Sequence, residues 1–188
     1  MTENIVLKCI RESSMVVASL EAQHEAIHNM SLLLVDVLGA GGTIFSAGNG
    51  GSAAEAMHLS EELVGRYRSD RPSLPAMCLN ADATALTCIA NDYGFERIFS
   101  RQVESLCRQG DLLVLFSTSG NSENLNRALD VALAAGVKTF CLLGKDGGAM
   151  KGKADCELIV DHQDTARIQE AHQVIMHIML EIVEQAYV

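Results

Sequence analysis

Apolar positions change their spacing along the chain, and the spacing sets the expected elements. In residues 2–39 they recur at helical intervals. Ile27, Met30, Leu34, Val37 and Leu38 share a face, and Gly39, Gly41 and Gly42 end the pattern. This segment is read as two helices, a packing and assembly surface with no evident chemistry. From residue 43 short apolar runs alternate with helical patterns. Strands are expected at 43–47, 75–79, 112–116, 139–143 and 156–160, and helices at 52–65, 82–90, 95–107, 123–135 and 165–186. Strand–helix alternation with continuous apolar strands predicts an α/β fold with a parallel five-stranded sheet and helices on both faces. The expectation is one domain over residues 1–188, with 1–40 as an N-terminal helical extension packed on it. Ligands of such sheets bind at the carboxyl ends of the strands.

The last expected helix has little polar face. Val174, Ile175, Met176, Ile178, Met179, Leu180, Ile182 and Val183 leave it apolar nearly all round, so it is expected to be buried. A subunit interface and packing within the same chain both satisfy that pattern.

Two loops follow expected strands and open expected helices. The first is Gly48-Asn49-Gly50-Gly51-Ser52-Ala53-Ala54. Its glycines allow close backbone approach, Ser52 suits a helix start, and free N–H groups there favour an anion. Gly48, Gly50 and Ala53 also fit a dinucleotide fingerprint, but the acidic residue expected about 20 positions later is not well placed. The second loop, Ser117-Thr118-Ser119-Gly120-Asn121-Ser122, carries four hydroxyls in six residues. Hydroxyls can bind one phosphate without adding charge. Together the loops suggest a phosphomonoester site.

Composition narrows the partners. The formal net charge of −10 argues against general nucleic-acid binding, which needs a basic face. The start Met1-Thr2-Glu3-Asn4 lacks the basic residues of a secretion signal, and no apolar stretch of membrane-spanning length lacks charges. Six scattered cysteines without a CxxC pair read as reduced, mostly buried thiols of a cytoplasmic protein. No nucleic-acid or membrane partner is expected.

His58 and Glu62, at i and i+4, share a helix face and can ligate zinc or a similar divalent ion, although a solvated face would look the same. Gln169, Glu170, His172 and His177 lie on the last helix. Gln169 and His177 are eight residues apart, about 12 Å on a regular helix. Both reach one ion only by stretching, by a kink or across a subunit boundary. His172 is an alternative ligand. His24, His28 and His162 have no evident partners and are read as surface residues.

These runs, together with His58-x-x-x-Glu62-Leu63-x-Gly65-Arg66-Tyr67, Asn91-Asp92-Tyr93-Gly94, Phe99-Ser100-Arg101-Gln102-Val103-Glu104 and Arg167-Ile168-Gln169-Glu170-x-His172, resemble the phosphoheptose isomerase family of sugar-isomerase (SIS) domains. The resemblance runs from about residue 40 to residue 188. It implies a flavodoxin-like SIS fold, a homotetramer and one zinc ion per subunit. The implied reaction converts sedoheptulose 7-phosphate to a D-glycero-D-manno-heptose 7-phosphate through an enediol-like intermediate, in heptose synthesis for surface polysaccharide. Carried over by position, the metal residues are His58, Glu62, Gln169 and His177. The substrate residues are Asn49, Gly50, Gly51, Asn91, Asp92, Ser117, Thr118, Ser119 and Ser122, with Glu62 and Gln169 touching both; Ser52 joins them from the loop reading. Isomerisation needs a base near two carbons and an acid–base partner for their oxygens, assigned here to Glu62 and His177. Two departures are Glu55, where many members carry aspartate, and Ala166, where some do. The alternatives are a non-catalytic SIS module of the type that binds a replication initiator, a regulatory sugar-phosphate sensor, and an isomerase of another phosphosugar.

Overall fold

The computed structural model describes residues 4–188; residues 1–3, the start of the expected helical extension and of the unbasic N-terminus, lie outside the described residues. Five strands, β1 (Ile44–Gly48), β2 (Ala76–Cys78), β3 (Leu112–Ser117), β4 (Lys138–Gly144) and β5 (Cys156–Val160), form one sheet in the order β2-β1-β3-β4-β5. All neighbours pair in parallel. The expected α/β architecture is therefore present.

The described residues also form seven α-helices: α1 (Ile5–Ser19), α2 (His24–Gly39), α3 (Gly51–Val64), α4 (Ala83–Tyr93), α5 (Ser100–Leu106), α6 (Glu123–Ala134) and α7 (Thr165–Tyr187). Asn4, Asp82 and Asp164 start α1, α4 and α7 by accepting backbone N–H groups of the first turn. The helix expected over 95–107 is instead a short 3-10 turn, Phe95–Arg97, followed by α5. Ile98 and Phe99, buried between them, turn inward at the break.

Alternate residues of each strand face opposite layers. Leu112, Val114 and Phe116 of β3 meet α3, α7 and the α1–α2 pair, while Leu113 and Leu115 meet α5 and α6. Both faces of the sheet are covered by apolar layers, which is why the strands read as continuous runs rather than alternating ones. α7 packs against α1, α2 and α3 of its own chain, burying Ile168, Ile175, Met176, Met179, Leu180 and Val183. Within-chain packing thus takes up most of the apolar surface of α7. Five exposed large apolar residues, Ile5, Val6, Leu7, Ile10 and Met15, lie on α1, and Ile178 remains exposed on α7.

The strand order reverses between β1 and β3. After β1 the chain enters α3 on one face; after β3 it enters α6 on the other. The two loops start side by side, since Gly48 pairs with Phe116, and then diverge. A crevice at such a switch point is where open parallel sheets bind ligands.

Candidate functional site

That crevice is a cavity of about 190 Å³ lined by Asn49, Gly51, Ser52, Ser117, Thr118, Ser119, Ser122, Thr165 and Gln169, with Phe116 and Leu125 beneath. Three helix starts line it: Gly51 and Ser52 of α3, Ser122 as the N-cap of α6, and Thr165 as the first residue of α7. Each brings unpaired N–H groups and the positive end of a helix dipole. Lysine and arginine are absent from the described lining, so an anion would be held by hydroxyls, amides and N–H groups.

Backbone geometry fixes the loop. A Cβ on Gly48 would lie 2.3 Å from the carbonyl oxygen of Ser52, and one on Gly51 would lie 2.3 Å from Gln169 Nε2. Gly50 stands at the α3 N-cap. In the hydroxyl loop, Ser117 Oγ accepts from Gly120 N at 3.0 Å and Ser119 Oγ from Asn121 N at 3.2 Å. Ser122 makes no cap hydrogen bond with its side chain, which leaves that hydroxyl available to a ligand.

Further along α3 lies a second cluster. His58 Nε2 is 3.2 Å from Glu62 Oε1, and the His58 and His177 rings meet edge to face at 5.3 Å between centroids. Gln173 Nε2 lies 3.4 Å from His58 Nδ1. Tyr67 stacks on His177 at 6.1 Å, and its hydroxyl donates to Glu181. Ligand atoms of His58, Glu61 and Glu62 lie within 4.8 Å of one another. Imidazole nitrogens and carboxylate oxygens at that spacing suit zinc or a similar divalent ion.

The structure therefore brings His58, Glu62 and His177 together and sets Gln169 at the anion cavity on the same helix as His177. Asn91 and Asp92 are exposed near the end of α4, hydrogen-bonded to each other at 2.7 Å, and do not line the cavity. His172 is not part of the metal-type cluster. It is fully buried, with Nε2 donating to Leu143 O at 3.0 Å and Nδ1 3.8 Å from Glu55 Oε2. Glu55 is thus a core residue facing α7. Ala166 is exposed, and Arg167 ties α7 to α1 through Cys9 O and pairs with Glu170. His24 and His28 are exposed and His162 half-buried.

Thr165, Glu61 and Gln173 were not expected at either cluster. The acidic N-cap Asp164 directly before Thr165 is the signal that marks a helix start there. At the far end of α3, Arg71 donates to the backbone oxygens of Glu62 and Leu63 and to Glu184 of α7. This caps the carbonyls that the helix end leaves unpaired and fixes the turn carrying Glu62.

Comparison with known proteins places these features in a family. A family model described as SIS domain matches residues 10–144. A phosphoheptose isomerase of Trichlorobacter lovleyi is 44% identical over 184 residues, covering 97% of this chain and 94% of that protein. One of Citrifermentans bemidjiense is 51% identical over 160 residues, covering 85% and 83%. The solved phosphoheptose isomerase of Neisseria gonorrhoeae superposes with a TM-score of 0.92 at 37% identity, covering 98% of this chain and all of that one.

Proposed function

The chain belongs to the phosphoheptose isomerase family of SIS-domain proteins, and on that premise we propose how its residues carry out the reaction. The enzyme is an aldose–ketose isomerase that interconverts sedoheptulose 7-phosphate and D-glycero-D-manno-heptose 7-phosphate, in heptose synthesis for surface polysaccharide.

The observation that carries the site reading is the separation of the two clusters along α3. Ser52 lines the anion cavity and His58 the acid–base cluster, six residues on, about 9 Å along a helix. A substrate with its phosphate and its reacting carbons at opposite ends of a long carbon chain spans that distance. A short phosphosugar does not.

The phosphate lies among Ser52, Ser117, Thr118, Ser119, Ser122 and the N–H groups of Gly50 and Gly51. Glu62 removes the proton from C1 of the ketose and returns it to C2. His177 moves the hydroxyl proton between the two oxygens, through an enediol-like intermediate. Stacking on Tyr67 limits the rotation of the His177 ring. His58, Glu62 and His177, joined by Gln169, are the residues that would hold zinc; the ion would supply Lewis-acid polarisation of the substrate carbonyl. Gln169 thereby links the two ends of the site.

A homotetramer is proposed with the family resemblance as its basis. Its structural support is the exposed apolar row on α1 and an apolar groove of about 450 Å³ lined by Val17, Leu20, Ile27, Val174, Ile178 and Ile182. A cytoplasmic location is supported by six unpaired cysteines. Burial pushes the Cys107 thiol up to about 12 and that of Cys141 higher still, so both stay protonated and inert. No described helix is long and apolar enough to cross a membrane.

Incubating purified protein with sedoheptulose 7-phosphate and following the aldose by NMR tests the reaction. Absence of product from zinc-loaded protein would refute it.

A further inference from the structure

The two anion-binding loops are separated in sequence by α3, β2, α4, α5 and β3, and one side-chain pair joins them. Asn49 Nδ2 donates to Asn124 Oδ1 at 2.9 Å, and Asn124 Nδ2 donates back to Asn49 Oδ1 at 2.9 Å. Asn124 Oδ1 also accepts Leu125 N at 2.9 Å. Asn124 is 2% exposed, in the first turn of α6, directly behind Ser122. A buried amide satisfied this fully has one geometry available to it.

The other flank of the glycine loop is held in the same way. Register continued from Ser46 and Cys78 would set Asn80 opposite Gly48, but β2 has ended. The Asn80 side chain takes over the pairing. Its Oδ1 accepts Gly48 N at 3.1 Å and its Nδ2 donates to Gly48 O at 2.9 Å. The loop is thus fixed by Asn80 on the β2 side and by Asn124 on the β3 side.

We propose that Asn124 is a positioning residue that couples the glycine loop to the hydroxyl loop, and that the Asn49 side chain serves this coupling rather than touching the substrate. Asn49 then meets the phosphate through its backbone only. The inference rests on the anion cavity being the phosphate site. Its physical content is preorganisation. Donors from β1–α3 and β3–α6 must be in register before the phosphate arrives, because a mobile loop would lose entropy on binding.

The test is a double-mutant cycle with zinc-loaded protein: wild type, Asn49→Ala, Asn124→Ala and the double variant, titrated with inorganic phosphate by calorimetry. Steady-state kinetics on the sugar phosphate run alongside. Each single variant is expected to weaken phosphate binding about tenfold, and the double variant no further, since both remove one linkage. KM should rise by about the same factor with kcat within about twofold. A merely structural role would lower the melting temperature and leave phosphate affinity at assay temperature unchanged. Unchanged affinity in the singles, or full additivity in the double, overturns the proposal. If Asn124→Ala does not fold, Asn124→Ser, too short to reach Asn49, replaces it in the cycle. Ser122→Ala separates the two levels. Weakening there without weakening in the asparagine variants defeats the coupling alone. Absence of phosphate binding by the wild type defeats the phosphate site and the coupling with it.

Discussion

Gly51 and Gln169 touch: a Cβ added to Gly51 would sit 2.3 Å from Gln169 Nε2. The first residue of α3 and the second turn of α7 are that close because one of them has no side chain. The anion cavity and the helix that carries His177 are thereby set against each other.

Gly51→Ala should therefore act on catalysis more than on the fold. The obstacle is the far end of a flexible side chain, so Gln169 swings away at an overpacking cost of about 1–3 kcal/mol. Losing its placement should reduce kcat/KM about 10²-fold, the scale of a misplacement near 1 Å. Kinetics and a thermal melt on the same preparation check this; a large fall in melting temperature with unchanged kcat/KM would assign Gly51 a packing role only.

Ser122→Ala should weaken sugar-phosphate binding by about 1.5–3 kcal/mol, the worth of a hydrogen bond to a charged group. Its hydroxyl caps nothing in α6, so the fold should be unaffected. Ser119→Ala should weaken binding too, with an added loss of loop order, because Ser119 Oγ also accepts Asn121 N. Calorimetry with a sugar phosphate measures both. Unchanged affinity in both variants would move the phosphate elsewhere.

Glu62→Gln should keep the fold and much of the substrate binding while lowering kcat by about 10²-fold or more, the contribution of a general base. The amide retains shape and one oxygen but cannot accept a carbon-bound proton at neutral pH. Metal content must be measured with the rate. Activity restored by excess zinc would make Glu62 a ligand only and shift the base to His177.

Acid should destabilise the protein through Glu184. Burial raises its carboxyl pKa, but hydrogen bonds from Ser69 N, Arg71 and Arg68 N outweigh burial and hold it below its ordinary 4.5. A lowered folded pKa gives stability that is complete above the unfolded value and lost as pH falls through the folded one. The melting temperature should hold down to about pH 5 and fall below 4.5. Asp155 adds the same sign. Its carboxyl is raised by burial, then lowered further by Thr139 and Lys138. Glu184→Gln should melt lower at neutral pH and respond less to acid; an acid response as steep as the wild type's would place the sensitivity elsewhere.

What the sequence made legible divides along physical lines. The strands were readable because both faces of the sheet are covered, so residues 112–116 are apolar without interruption. The two loops were readable because a strand-to-helix turn that approaches a ligand needs residues like Gly48 and Ser122. The placement of α7 was not, since an apolar helix fits α2 of its own chain as well as a neighbour. Thr165 and Gln173 depend on how α7 is rotated against α3, which no local pattern encodes. Asn49 and Asn124 lie 75 positions apart, and each alone looks like an ordinary loop or helix-start residue.

The contact of α7 with α1 and α2 has a consequence for the order in which a ribosome releases the chain. Among the described elements, α1 emerges first and α7 last, and they cover the same side of the sheet. Until residues 165–187 leave the exit tunnel, the cluster that holds Leu112, Val114, Phe116 and Phe140 lacks the part of its cover that α7 provides, and Gln169 and His177 are absent from the site. Chain closure over so long a sequence separation is slow compared with local helix formation. A nascent chain therefore passes through an interval in which the anion loops can form but the catalytic cluster cannot, and chaperone demand should concentrate there.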